Sequence, residues 1–250
     1  MLKNMREREI INILKKKNGF ISVKELCTEL FASESSIRRD LCVLENRGVI
    51  KRTYGGAELN KNASNVLAFS HRTHHNAEKK IKIAKKASKL ISDGNIIFLD
   101  QSSTSYYLAK EISDKKEITV ITNNIEIISF LSVTKIHTIS SGGFLSQNNR
   151  MCLIGADAQQ IFENSYADFM FFSSQALSDD GIISDCTREE VVIRNSMLKN
   201  SNKKVFLCDS EKFSSKSAYK QCSLLDIDFL ISENDDARKQ FKHFSNLTIM

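Results

Sequence analysis

Four polar residues within one five-residue stretch, Ser35, Ser36, Arg38 and Arg39, carry the chemistry needed to read a nucleic-acid duplex. An arginine guanidinium offers a planar fork that engages guanine or phosphate two bonds at a time, and serine hydroxyls bond either. Ile37, Leu41 and Leu44 recur at i, i+4 and i+7, so they mark the buried face of a helix. The serines and arginines then fall on the other side, in the N-terminal half that a recognition helix presents to DNA. Asp40 either holds one of these arginines or stands exposed. A second group of candidates sits far downstream, where short apolar runs end in polar clusters. These are Asp100, Ser102, Ser103 and Thr104, then Thr122 and Asn123, then Gly142 and Gly143, then Asp209 and Lys212. Hydroxyls and free amides at a helix start cradle phosphate. Glycines let a ligand approach the backbone, a lysine supplies charge, and Asp100 would repel phosphate but accept from sugar hydroxyls.

The first group needs a scaffold, and the surrounding sequence spells one out. Ile10, Ile11 and Leu14 give helical spacing through Lys17, and Asn18-Gly19 is a stop signal. Phe20-Ile21 is a short extended lead into Ser22-Val23-Lys24-Glu25, a capping box that starts a second helix with Val23, Leu26 and Leu30 inward. Phe31-Ala32-Ser33 is a turn, Ser33 caps the third helix, and Asn46-Arg47-Gly48 ends it. The run from Val49 to Ala57, with Lys51, Arg52, Thr53, Tyr54, Gly55 and Gly56, has the β-rich residues, cations and glycine turn of a wing. Together these predict a winged helix-turn-helix over 1–57. Its candidate DNA contacts are Ser22, Ser33, Ser35, Ser36, Arg38, Arg39, Lys51, Arg52, Thr53, Tyr54, Gly55 and Gly56.

Charge follows the same division. The 250 residues carry a net +6, yet residues 1–61 hold 13 Lys/Arg against 8 Asp/Glu, and residues 62–250 hold 23 against 22. A basic module attached to a near-neutral body is the footprint of a polyanion reader. No apolar stretch approaches the roughly 18 residues of a membrane helix, and the charged start MLKNMREREI is unlike a signal peptide. A cytoplasmic protein is expected, without a membrane partner. Six scattered cysteines with no C-x-x-C read as small buried hydrophobes. His71, His74 and His75 lack a matching ligand cluster, so neither a metal nor a cofactor is expected.

Residues 58–75 are polar and aperiodic and read as a linker. From 76 to 250, strand runs at Ile96–Leu99, Ile118–Thr122, Ile136–Ser140, Asp168–Phe172, Lys204–Cys208 and Ile227–Ile231 alternate with helical ones. The helical stretches are Ala77–Ile91, Ser105–Ile112, Ile125–Leu131, Ala156–Glu163 and Glu189–Lys199. That alternation predicts an α/β domain with a mainly parallel sheet, whose ligands gather beyond the carboxyl ends of the strands.

Ser35–Leu41 (SSIRRDL), then Leu44-Glu45-Asn46-Arg47-Gly48 and Tyr54-Gly55-Gly56-Ala57, resemble the signature of the DeoR family of bacterial transcriptional regulators. Ala32 stands for the usual Val, Ser36 for Thr and Tyr54 for His. The resemblance extends over roughly residues 5–232. The family's D-x-G-S-T-T, V-x-T-N, G-G and D-x-S-K-F patterns are similar to Asp100–Ser105, Val120–Asn123, Gly142-Gly143 and Asp209–Phe213. Its E-E-x-x-x-K helix resembles Glu189–Arg194, which adds Glu190 and Arg194 to the candidate effector site. The resemblance implies a body related to sugar-phosphate isomerases, sensing of a phosphorylated sugar, and homodimers or homotetramers on double-stranded operator DNA. Departures are Ser102 where the loop has Gly, Ser173-Ser174-Gln175-Ala176 where glycines are usual, and Glu211 before Lys212. The function expected is a repressor of sugar or carbohydrate metabolism genes. The competing reading is a sugar-phosphate isomerase-like enzyme with a DNA-binding appendage, using Asp100, Glu190, Asp209 and Lys212.

Overall fold

Three helical stripes and a hairpin in the first quarter of the chain converge on one small core. The computed structural model describes residues 3–17, 20–46, 50–59, 69 and 72–250, and it separates into two compact units, Met1–Ser70 and His71–Met250. The first unit runs α1 (Lys3–Lys16), β1 (Phe20–Ser22), α2 (Val23–Leu30), α3 (Glu34–Asn46), β2 (Ile50–Thr53) and β3 (Gly56–Leu59). Ile10, Leu14, Ile21, Leu26, Ile37, Leu41, Leu44 and Ile50 meet at its centre. The capping box forms: Ser22 Oγ accepts from the Glu25 amide at 3.2 Å and the Glu25 carboxylate accepts from the Ser22 amide at 3.0 Å. Those Ser22 bonds, with Lys17 beside them, hold the Glu25 carboxyl down to about 2. Asp40 does neither of the two things expected of it. It is buried and paired with Arg6 of α1, so it ties α3 to α1 and leaves Arg38 and Arg39 alone. The stop signals at Asn18-Gly19 and Arg47-Gly48, and His71, lie outside the described residues.

The wing is antiparallel, in strand order β1-β3-β2. Thr53 pairs with Gly56, so Tyr54-Gly55 is a two-residue loop. The two glycines serve different ends. Gly55 takes φ 80°, the left-handed region that glycine enters freely, whereas a Cβ on Gly56 would lie 2.4 Å from the Ile21 carbonyl on β1. β3 continues to Leu59, so Glu58 and Leu59 are strand, not linker.

The second unit begins with α4 (Ala77–Ala87) and continues β4 (Ile96–Leu99), α5 (Ser103–Glu111), β5 (Thr119–Thr122), α6 (Ile125–Leu131) and β6 (His137–Ser140). A small hairpin of β7 (Phe144–Leu145) and β8 (Leu153–Ile154) precedes α7 (Ala156–Glu163). Then come β9 (Ala167–Phe172), β10 (Ala176–Leu177), β11 (Ile182–Asp185), α8 (Arg188–Lys199), β12 (Ser201–Leu207), β13 (Tyr219–Ser223), β14 (Phe229–Ile231), α9 (Asp236–Phe241) and β15 (Thr248–Ile249). Seven strands form one parallel sheet in the order β15-β14-β12-β9-β4-β5-β6. Side chains alternate across it, as the two-residue strand period requires. Phe98, Met170, Phe172 and Phe206 pack with Phe162, Ile193 and Phe241 on one face. Ile97, Leu99, Phe171 and Val205 pack with Ile83, Leu108 and Ile127 on the other.

That strand order dictates where a ligand sits. From β4 the chain builds outward through β5 and β6, then returns to the other side of β4 and builds β9, β12, β14 and β15. The direction reverses between β4 and β9. The loops leaving these two neighbours diverge to opposite faces, opening a crevice at the carboxyl edge of the sheet. Among the described residues no helix is long and apolar enough to cross a membrane.

Candidate nucleic-acid interface and effector cleft

On the N-terminal unit, α3 turns Ile37, Leu41 and Leu44 inward and leaves Ser35, Arg38 and Arg39 exposed. Ser33 Oγ gathers the Ser35 and Ser36 hydroxyls at 3.1 and 2.9 Å, forming a polar knot at the helix start. Arg38 rests on Glu34 one turn back, with Nη2 at 2.7 Å. This exposed i,i+4 pair is a weak tether that a phosphate can displace. Lys51 and Arg52 are exposed on β2, Arg52 beside Glu45, and Tyr54 stands fully exposed at the wing tip with Gly55. Thr53 is half-buried, and Gly56 is buried in the sheet. The Ser22 hydroxyl is committed to Glu25, so its place is a cap. Phe31 went unmarked as a candidate. It closes α2 in the left-handed conformation, φ 49°, with its ring almost wholly exposed between α2 and α3. Nothing in its sequence spacing signals this.

In the second unit a cleft of about 400 Å³ lies at the switch point. Asp100, Gln101, Ser102 and Ser103 enter it from the end of β4, Ser173, Ser174 and Gln175 from the end of β9, and Asp209, Glu211 and Lys212 from the end of β12. Arg72, His75, Asn76 and Lys80 complete the rim.

The floor is a buried ion cluster. Arg194, 1% exposed, reaches Asp185 at 2.6 Å, Glu190 at 3.4 Å and Asp100 at 3.5 Å. Burial alone would lower the guanidinium pKa, but Asp185, Asp100 and Glu190 together raise it. Asp185 is likewise held below the usual carboxylate range: burial pushes it up, and Arg194 and the Cys186 amide outweigh that. Asp100 also fastens the loop. Its Oδ1 accepts from the Ser102 amide at 3.1 Å and the Ser105 hydroxyl at 2.6 Å, and its Oδ2 accepts from the Ser173 amide at 3.2 Å. Ser102 sits at φ −76°, which a serine takes without strain, and its Oγ caps α5 by accepting from the Ser105 amide. The departure from Gly therefore strengthens the helix start.

The cations able to meet an anion lie higher up. Lys212 Nζ donates to Ser173 Oγ at 2.8 Å with Asp209 at 3.5 Å. Lys80 is buried, donates to the carbonyls of Arg72 and His75, and is pulled down to about 8 by burial, with Lys212 and Arg72 adding to the effect. Glu211 is partnered by Lys79 at 3.2 Å on the exposed edge.

Of the residues singled out for this site, Asp100, Ser102, Ser103, Glu190, Arg194, Asp209 and Lys212 line the cleft. The structure does not bring Thr104, Thr122, Asn123, Gly142 or Gly143 there. Thr104 is buried in the first turn of α5. Thr122 and Asn123 are buried at the end of β5, where Asn123 Nδ2 donates to the Leu153 carbonyl at 3.1 Å. Gly142 turns at φ 69°, and a Cβ on Gly143 would meet the Ile154 carbonyl at 2.4 Å. Of these, Asn123 and Gly143 lie against the β7–β8 hairpin. Gln101, Ser174 and His75 line the cleft although none was named as a candidate for it, and Asp185 and Lys80 line it without any sequence signal. Among the described residues no group of three metal-ligating side chains occurs.

A winged helix-turn-helix with an exposed arginine pair, followed by a parallel-sheet domain with a polar switch-point cleft, defines a DNA-binding transcriptional regulator with an attached sensor domain. The chain belongs to the DeoR family: residues 6–63 match the DeoR-like helix-turn-helix domain and residues 75–234 the DeoR C terminal sensor domain. It is 34% identical over 242 residues to the HTH-type transcriptional regulator GolR of Listeria innocua, covering 96% of this chain and 94% of that one. It is 32% identical to the HTH-type transcriptional repressor GlcR of Bacillus subtilis, covering 90% and 86%. It is 30% identical to the L-fucose operon activator of Haemophilus influenzae, covering 94% and 95%. Ribose 5-phosphate isomerase A from Methanocaldococcus jannaschii overlays 55% of each chain with TM-score 0.42 and 19% identity.

Proposed function

We propose that this protein is a cytoplasmic repressor of genes for sugar or carbohydrate metabolism. It binds double-stranded operator DNA as a homodimer or homotetramer and is controlled by a phosphorylated sugar held in the C-terminal cleft. The observation that carries the reading is the make-up of that cleft. The N-terminus of the nine-residue α5, whose third amide is capped by Ser102, opens at Ser103 on the same cavity that Lys212, Lys80 and Arg72 line. Relatives named for sugar systems, a lactose phosphotransferase system repressor and an L-fucose operon activator, support a sugar as the signal.

The state of the carboxylates supports sensing over turnover. An isomerase needs a general base free to reach a substrate carbon. Asp100, Asp185 and Glu190 each accept at least two hydrogen bonds from the protein, so they act as architecture, and Asp209, the remaining candidate base, is buried against Lys212 at 3.5 Å. Contact with a sugar phosphate shifts operator affinity to the extent that the two DNA-binding states differ in affinity for it. The test is operator binding by fluorescence anisotropy during titration with a panel of pentose and hexose phosphates, each compared with its unphosphorylated sugar. At least one phosphate should change operator affinity while its parent sugar does not. Absence of any shift, with no thermal stabilisation by any member, would refute the reading.

A further inference from the structure

Among the described residues that line the cleft, Gln101 carries a buried acceptor left without a donor. It is 1% exposed and follows Asp100 directly at the end of β4. Its Nε2 donates to Glu190 Oε2 at 2.8 Å. A carboxylate only accepts, so this bond fixes which end of the amide is which: the NH₂ faces Glu190 and the carbonyl oxygen faces away. Glu190 is itself immobilised, its Oε1 accepting from Asn149 Nδ2 at 3.0 Å and its Oε2 lying 3.4 Å from Arg194. Gln101 Oε1 is buried and has no hydrogen-bond partner among the described residues. The carboxylates around it are each satisfied within the protein. Arg194 Nε, on the cleft floor 3.5 Å from Asp100 Oδ2, is likewise buried without a hydrogen-bond partner, but it is a donor and a ligand donor cannot serve it; Asn123 Oδ1 and Asn124 Nδ2 belong to residues outside the cleft.

A buried acceptor without a donor is destabilising until a donor arrives, and a ligand supplying one gains that difference. A phosphate dianion has acceptors only and cannot be that partner. A partner supplied by the effector must therefore come from the rest of that molecule, as a hydroxyl or a protonated amine. From this geometry we infer that Gln101 determines effector specificity by accepting a hydrogen bond from a hydroxyl or ammonium group on the sugar moiety. The inference rests on the sugar-phosphate reading of the cleft. Sites built to bond a ligand hydroxyl reject the analogue lacking it far more strongly than apolar pockets reject an extra group.

The test is a ligand-by-variant cycle, measured by isothermal titration on the full-length chain. The tightest-binding sugar phosphate of the panel is compared with its monodeoxy analogues and its amino-for-hydroxyl analogues, on wild type, Gln101→Met and Gln101→Leu, with calorimetric unfolding as the check on folding. Wild type should lose about tenfold or more in affinity for one deoxy position. An amino analogue that retains the parent affinity at that position is expected as well, since an amine also donates to the Gln101 carbonyl. Both variants should weaken the parent by a similar factor and be indifferent to that one deoxygenation. Equal weakening of parent and every deoxy analogue would reduce Gln101 to a structural support and overturn the inference, as would unchanged binding. Failure of wild type to bind any sugar phosphate overturns the sensing reading and this inference with it.

Discussion

Replacing Arg194 by methionine tests the claim that the cleft floor is one buried electrostatic unit. Methionine preserves much of the volume and removes the charge. Asp185, Glu190 and Asp100, now 2.6, 3.4 and 3.5 Å from a guanidinium nitrogen, would be left buried without a cation. Removing one partner of a buried pair costs about 3–5 kcal/mol, because the charge left behind has lost both water and counter-ion. For a unit of this size each kcal/mol moves the melting temperature by about 2–4 °C, so the loss should be about 6–20 °C. Scanning calorimetry suits this chain, which has no tryptophan to report unfolding. The pH dependence gives an independent sign. In wild type the depressed pKa of Asp185 means its stabilisation is present above the ordinary carboxylate range and lost as pH falls through the lower folded value. In Arg194→Met the uncompensated carboxylates gain protons more readily folded than unfolded, so their contribution recovers as pH falls. The gap between the two proteins should therefore narrow from pH 7 to pH 5. A variant melting within 2 °C of wild type at pH 7, or a gap that widens on acidification, would refute the account.

Three further outcomes follow from other parts of the molecule. Arg38→Ala with Arg39→Ala should weaken operator binding across sequences and lower the slope of log affinity against log salt by about 1 for each phosphate no longer engaged; unchanged affinity at matched salt would remove α3 as the reading helix. Effector affinity should fall as pH rises through about 8, because the protonated Lys80 ammonium favours an anion and is lost above that value; calorimetry in two buffers should show proton uptake on binding near pH 8, and Lys80→Met should abolish it. Ser22→Ala removes the α2 cap and should destabilise the N-terminal unit by about 1 kcal/mol in chemical denaturation, whereas Gly56→Ala should cost more, since its Cβ would drive into the Ile21 carbonyl.

Periodicity made six of the sheet's seven strands legible, while β15 and α9 at the C-terminal end went unmarked. Ile96–Leu99, Ile125–Leu131 and Ala156–Glu163 match observed elements residue for residue, because each is a short apolar run closed by polar caps. β10, β11 and β13 form a side sheet among serines and charges, where no two-residue alternation marks them. At the site, what was legible followed the strand ends, since topology alone sends Asp100 and Asp209 to the carboxyl edge. Gly142 and Gly143 misled for a physical reason. Gly142 serves a turn at φ 69°, and at Gly143 the group that approaches the backbone is the Ile154 carbonyl. Partnerships across long separations could not be read. Asp40 pairs with a residue 34 positions away, and Glu190 with Gln101 at a separation of 89. Arg194 entered as an effector candidate by its place in the helix pattern, and its ion pairs with Asp100, after β4, and Asp185, at the end of β11, could not be read.

The cleft is built in two parts with different capacities to respond. Its floor is overdetermined: the Asp100 carboxylate, the Arg194 guanidinium and the Glu190 carboxylate each have several partners, and displacing any one strands the others in low dielectric. Its rim has alternatives. The stretch from Arg72 to Asn76, next to the start of the sensor domain, is held by Lys80 on the Arg72 and His75 carbonyls. Tyr107 Oη donates to the Thr73 carbonyl at 2.9 Å, and Asn76 Nδ2 lies 3.5 Å from Asp209. Lys80 and Asp209 also line the cleft, beside Lys212. An anion that draws the Lys80 ammonium draws it from these carbonyls, and one that engages Lys212 alters the charge balance at Asp209, the partner of Asn76. Ligand binding and the hold on residues 72–76 therefore compete for the same side chains, which is the differential interaction that coupling between two sites requires. Under the proposed function, a floor whose groups each have several partners and a rim whose side chains have alternative ones make residues 72–76 the part of the cleft expected to respond.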